Sequence, residues 1–283
     1  MSSLDCRQYR EIVLEDRAYL PDLPTSFPED DPFRHTVEVE KDIPDIEFDD
    51  KFPYLDDSPK YRWNNFILYA GLFAFAFLVN KVRYGLKINN RSIVRRYRKE
   101  FRDGAITVCN HVYRWDMVSV LQAIRWRRSW VPIYSEHMMG KDKWFMRYVG
   151  GIPVPTSIKG FRGFNAAFDE LHRRRQWIHV FPESCNWHYY VPIRPFQKGA
   201  FSMSYKYNMP ILPCVISYRP RTGIYKLFDK PEVPLITLSV CEPIFPDTNA
   251  RRQDEVNRLR DEAHSRMCRA AGIIHNPWPS AID

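Results

Sequence analysis

The chain lacks most of the patterns that place a protein in a class at sight. Its six cysteines, Cys6, Cys109, Cys185, Cys214, Cys241 and Cys268, form no C-x-x-C pair and no disulfide-like spacing. No basic segment followed by an apolar core and a cleavage site opens the sequence. The expectation is a reduced, cytoplasmic compartment without a cleaved signal. There is no G-x-S-x-G elbow, no phosphate-binding G-K-[ST] loop, no internal repeat and no low-complexity segment. Cations are scarce in the first 62 residues, which hold 17 Asp and Glu against 8 Lys and Arg.

What is present is unevenly distributed. The whole chain of 283 residues carries a net charge of +8 and is 45% hydrophobic, ample for a packed core. Because the first 62 residues are acidic, the remainder carries a balance of +17. Residues 1–62 are also proline-rich, as in "LPDLPTSFPEDDPF", with Ile43, Ile46, Phe48, Phe52, Tyr54 and Leu55 as candidate anchors. Two readings stay open for this arm: an extended segment lying on the basic body, or a disordered acidic tail.

Residues 63–89 form a second unit. Phe66 to Val79 are 14 residues without a charge or strong polar group, about 21 Å of helix against the roughly 30 Å of a bilayer core. Trp63 and Tyr69 suit the interfacial belt. A dense basic cluster follows, from Lys81 through Arg91, Arg95, Arg96 and Arg98 to Arg102, opposed by Glu100 alone. That combination suits an anionic cytoplasmic membrane surface, with monotopic insertion favoured over a full span. The alternative is a buried core helix followed by a solvated basic one.

From residue 90 to 283, short apolar runs alternate with helical stretches. "AITVC", "SWVPIY", "GGIPVP", "WIHVFPE", "PILPCVISY" and "YKLFDKPEVPLITLSVCEPI" read as strands. Residues 117–127, 138–149, 160–175, 199–208 and 249–271 have helical spacing. The expected fold is α/β, a mixed sheet flanked by helices, with an N-terminal membrane-associated helix.

At the end of the first of these strands stand Asn110, His111 and Asp116. On one continuous helix, His111 and Asp116 would lie about 140° apart. A loop before the helix removes the obstacle, placing Asp116 near the helix N-terminus, where its carboxylate can also receive the imidazole N–H. A histidine held in this way keeps its other nitrogen as a general base near neutral pH. Asp116 as a plain N-cap, with His111 a loop residue, is the alternative that spacing alone leaves open.

Further segments follow in a fixed order: "YVGGIPVP" at 148–155, "VFPES" at 180–184, "RPFQKGAF" at 194–201 and "MPILPCVISY" at 209–218. With the N-H-x-x-x-x-D block at 110–116, they resemble the glycerophospholipid acyltransferase superfamily, which includes 1-acyl-glycerol-3-phosphate acyltransferases, over residues 90–245. The resemblance implies phospholipid biosynthesis: acyl transfer from acyl-CoA or acyl carrier protein to the hydroxyl of a lysophospholipid at a membrane surface. His111 would be the general base and Asp116 its orienting carboxylate. It implies that Glu183 and Asn110 help position the acceptor, and that Lys198 and Gly199 combine a cation with close backbone approach to phosphate.

Two departures concern the acceptor. Thr156 and Ser157 stand where the family's second block usually ends in arginine. Ser184, Cys185 and Asn186 follow F-P-E where the family has glycine, a threonine-like residue and arginine. The nearest substitutes for the missing cations are Lys159, Arg162, Arg194 and Lys198. The same departures keep two other readings open: a non-catalytic lipid-binding or tethering protein on this fold, or an acyltransferase with a non-phosphate acceptor. No metal site is expected, because His179, Cys185 and His188 lack a fourth ligand. No nucleic-acid partner is expected either, since Trp126, Trp130 and Tyr148 lie in no recognised motif.

Overall fold

The computed structural model describes residues 12–22, 26–28, 30–36 and 48–282. The chain begins with a short strand β1 (Val13–Leu14) and a long helix α1 (Pro59–Val82), capped by the Ser58 side chain, which accepts from Tyr61 N–H. There follow β2 (Lys87–Asn89), α2 (Ser92–Arg96), β3 (Ile106–Cys109) and α3 (Asp116–Ala123). Next come β4 (Ser129–Ile133), α4 (Lys143–Tyr148), β5 (Gly151–Pro153), α5 (Gly160–Arg173) and β6 (Trp177–Val180). The last elements are α6 (Gly199–Tyr207), β7 (Ile211–Arg219), β8 (Leu235–Val240), α7 (Arg252–Ala271) and β9 (Ile273–His275).

Seven strands form one mixed sheet in the order β2-β8-β7-β3-β6-β4-β5, parallel except for the antiparallel pairing of β7 with β8. The central strand β3 has every residue buried, as a strand covered on both faces must. One core, with Ile106, Val108, Phe168, Phe201 and Leu259, packs beneath α5, α6 and α7. The other, with Phe101, Cys109, Tyr113, Leu121 and Leu238, packs beneath α3. The run "YKLFDKPEVPLITLSVCEPI" is a strand only over β8. Residues 223–227 form a 3-10 turn, and Pro231 and Pro234 withhold the ladder donors a longer strand would need.

The arm is ordered where it is described. β1 pairs antiparallel with β9, and Phe27, Phe48 and Tyr54 are buried. Phe52 and Leu55 are half-buried against the α5 core, whereas Ile43 and Ile46 lie outside the described residues. A Cβ on Gly160 would come within 2.8 Å of the Tyr54 hydroxyl, so glycine lets the arm touch the start of α5.

Helix α1 is longer than its apolar run suggests, because the Ser58 cap and Pro59 start it seven residues before Phe66. It lies along the body for most of its length. Asn65 Nδ2 donates to Tyr148 O at 2.6 Å, Tyr69 Oη to Val149 O at 3.1 Å, and Asn80 Nδ2 to Ser119 Oγ at 3.1 Å. Its other face leaves Trp63, Phe66, Phe73, Phe75, Phe77 and Leu78 each more than half exposed.

Candidate active site

The site forms where β3 and β6 end side by side. Asn110 closes β3 by imitating a strand residue. Its Nδ2 donates to Ile216 O at 3.0 Å, and its Oδ1 accepts from Ile216 N–H at 2.8 Å. Both ends of the amide are thus bound to β7, so Asn110 is a clamp on the turn rather than the substrate contact expected from the sequence.

The chain then turns through residues 111–115 before α3 opens at Asp116. That loop brings His111 Nδ1 to 2.5 Å from Asp116 Oδ2. The same carboxylate accepts from Val112 N–H at 3.2 Å and from Met117 N–H at 2.7 Å. Backbone amides at a helix start therefore hold the charge of a carboxylate almost wholly removed from water. A proton on Nδ1 donated to Asp116 leaves Nε2 as an acceptor, and no described residue hydrogen-bonds it. The imidazole is a quarter exposed and stacks on Phe181, with ring centroids 4.0 Å apart.

Glu183 does not face the acceptor, as the sequence reading expected, because it is fully buried. Its Oε2 accepts from His111 N–H at 3.0 Å and its Oε1 from Arg194 N–H at 2.9 Å. The Arg194 guanidinium completes the pair at 3.0 Å. Arg194 is likewise buried. It donates to Pro32 O at 2.7 Å and to the Cys185 carbonyl, and lies over the Trp187 ring. Both terminal nitrogens are engaged and the side chain has no exposed surface, so it is not the phosphate contact that the missing family cations suggested. It carries Glu183, and Glu183 carries the backbone of the histidine.

The loop after Glu183 grips the histidine turn from its other side. Trp187 N–H donates to His111 O at 3.0 Å, and Tyr189 N–H to Val112 O at 2.7 Å. Ser184 occupies the family's glycine position at φ +68°, a left-handed conformation that glycine takes without steric cost. Asn186, at the family's arginine position, places Nδ2 3.2 Å from His111 Nδ1.

The remaining expected cations are dispersed. Lys198 is exposed at the start of α6, tied to the F-P-E turn because Gln197 N–H donates to Pro182 O at 2.8 Å. A Cβ on Gly199 would meet nothing within 4 Å, so the protein itself requires no glycine there. Lys159 and Arg162 are exposed at the start of α5, with no hydrogen bond or ion pair to the His111 turn among the described residues.

Sequence reasoning passed over two residues near the histidine, Arg114 and His137, and weighed a third, His179, only as a metal ligand. Arg114, inside the turn, is exposed and has no ion pair among the described residues. His137 is pushed below the ordinary histidine value by burial, and further by His111 and His35. His179, on β6, is buried with Nδ1 2.8 Å from Thr107 Oγ1, and burial pushes it down to about 4. The alternation of "WIHVF" was the available signal: it turns His179 inward with Phe181.

A protein-family model described as Acyltransferase matches residues 86–217. An uncharacterized acyltransferase of Schizosaccharomyces pombe is 25% identical over 208 residues, covering 68% of this chain and 70% of that protein. Among solved structures, the 1-acyl-sn-glycerophosphate (LPA) acyltransferase PlsC from Thermotoga maritima superposes with a TM-score of 0.47 at 17% identity. That superposition covers 76% of this chain and 84% of the other.

Proposed function

We propose, from the match to the acyltransferase family model at residues 86–217, that this chain belongs to the glycerophospholipid acyltransferase superfamily and acylates the free hydroxyl of a lysophospholipid such as 1-acyl-glycerol-3-phosphate. The acyl donor is a thioester, acyl-CoA or acyl carrier protein.

The observation that carries this reading is the His111–Asp116 pair at 2.5 Å, with Nε2 left free at a partly open surface. In the proposed reaction Nε2 takes the acceptor's hydroxyl proton as that oxygen attacks the thioester carbonyl. The tetrahedral intermediate collapses, breaking the carbon–sulfur bond, and the imidazolium returns its proton to the departing thiolate. Asp116 stabilises the imidazolium and fixes its tautomer. Glu183 and Arg194 act beneath the reacting groups, holding the His111 backbone in place. Lys198 and Arg114 are the exposed cations on the two segments flanking the histidine, and the acceptor phosphate is assigned to them.

Membrane association belongs to the same reading. The outer face of α1 is apolar, and its inner face is hydrogen-bonded to the body from Asn65 to Asn80. A helix held flat on the domain in this way suits monotopic insertion at the cytoplasmic face rather than a span.

The test is release of CoA thiol from a long-chain acyl-CoA, with a panel of phosphorylated and neutral acceptors. Transfer to lysophosphatidic acid and its loss by about 10²–10⁴-fold in a folded His111→Ala protein are expected. An active His111→Ala protein would sink the mechanism, and equal use of a neutral acceptor would sink the phosphate assignment.

A further inference from the structure

We propose that a basic cleft at the amino-terminal ends of β3 and β6, the ends away from His111, binds the headgroup phosphate of an anionic phospholipid. This rests on the membrane reading above and adds to it a second, non-catalytic lipid site.

The cleft has a volume of about 630 Å³, and five cations line it: Arg98, Lys99, Arg102, Arg127 and Arg175, with the Trp177 indole in its wall. Among the described residues only one carboxylate pairs with any of the five, Asp103, 3.2 Å from Arg175. Elsewhere on this surface arginines find acids readily: Arg174 is bidentate on Asp57, and Arg173 on Glu170. Five cations lining one space, four of them without a carboxylate partner among the described residues, favour an anion from outside. Arg127 is held below the ordinary arginine value by burial and by Arg125, the neighbouring cation on its own turn.

The geometry selects phosphate on a lipid. Arg127 lies over the Trp177 ring, 5.0 Å from its centroid, which orients a planar fork suited to paired phosphate oxygens. The turn that carries it contains two consecutive left-handed residues, Arg125 at φ 64° and Trp126 at φ 61°. Through that turn Trp126 is directed onto Phe73 of α1, with ring centroids 5.3 Å apart, while Arg127 is directed into the cleft. The cleft and the apolar face of α1 are therefore two sides of one turn. Where acyl chains cover Phe73, the headgroups of those lipids lie beside Arg127.

The test keeps charge constant and removes the forks. Binding of the full-length protein to neutral phosphatidylcholine vesicles is compared with binding to vesicles containing about one third phosphatidylglycerol, for the wild type and for Arg102→Lys/Arg127→Lys. Adenosine 3′,5′-bisphosphate serves as a soluble competitor. The expected result is about a tenfold loss of affinity for the anionic vesicles in the variant, with binding to neutral vesicles unchanged. Wild type that binds both vesicles, with a variant that matches it, would overturn the cleft and leave the membrane reading standing. Wild type that binds neither would overturn both. Variant-sensitive binding of the bisphosphate with unaltered vesicle binding would overturn the lipid assignment in favour of a soluble nucleotide.

Discussion

The two ends of β3 and β6 use charge in opposite ways. At the carboxyl ends, Asp116, Glu183 and Arg194 are buried, and each charged group meets a partner. At the amino ends, Arg98, Lys99 and Arg102 are exposed and have no ion pair among the described residues. Burying a charge costs several kcal/mol unless it is paired and hydrogen-bonded, so the first arrangement must be complete within the chain. The second costs little in water and is open to completion by a ligand. A cation's place in the sequence motif does not reveal which kind it is, and its burial does.

Removing a partner from the complete end is expected to have the largest effect on stability. Arg194→Met leaves Glu183 buried without its counter-charge and leaves Pro32 O and the Cys185 carbonyl without a donor. The expected loss is about 3–5 kcal/mol in chemical denaturation. Adding Glu183→Gln should restore part of it, because the uncompensated charge is then gone. Since Glu183 also holds His111 N–H, transfer should fall in both variants. An Arg194→Met protein as stable as wild type would break the contrast at its strong end.

A pH titration probes the same end next. His179 is pushed down to about 4 by burial, against an ordinary value near 6.5. The unfolded chain binds its proton first, so the contribution of neutral His179 is complete above about pH 6.5. It is lost as pH falls toward 4, reaching about 3 kcal/mol in all. His137, His188 and His264 are shifted in the same direction by burial and add to the slope. Melting temperature should therefore drop between pH 6.5 and 4, and His179→Gln should flatten part of that drop. An unchanged slope in the variant would refute the assignment to His179.

How much of this could be read in the sequence follows the same division. The strand endings, the loop between His111 and Asp116 and the order of motifs are local, and local patterns carry them. Arg194 is different, because what buries it includes Pro32, 162 positions away. No spacing within "RPFQKGAF" carries that contact. Glu183 was likewise expected at the acceptor because its motif sits at a strand end; its two oxygens instead face inward, to His111 N–H and Arg194 N–H. Helix α1 was under-measured because apolar residues were counted, whereas the cap at Ser58 sets where the helix starts.

The smallest expected effect tests the sort of cation that burial leaves available near the histidine. Lys198 is exposed at the amino end of α6, where unpaired backbone N–H groups also favour an anion. The Gln197 N–H to Pro182 O bond fixes that helix start to the turn carrying Glu183. Its ammonium makes no ion pair among the described residues, so removing it should leave folding unchanged. Lys198→Ala should therefore raise KM for a phosphorylated acceptor by about tenfold, with kcat and the acyl-donor KM nearly constant, as expected when uniform binding is lost. Lys198→Arg should retain most of the affinity, since the positive charge persists at the same helix start. Equal effects on both substrates would place Lys198 at the donor instead, and an acceptor KM that did not move would leave Arg114 as the cation that meets the phosphate.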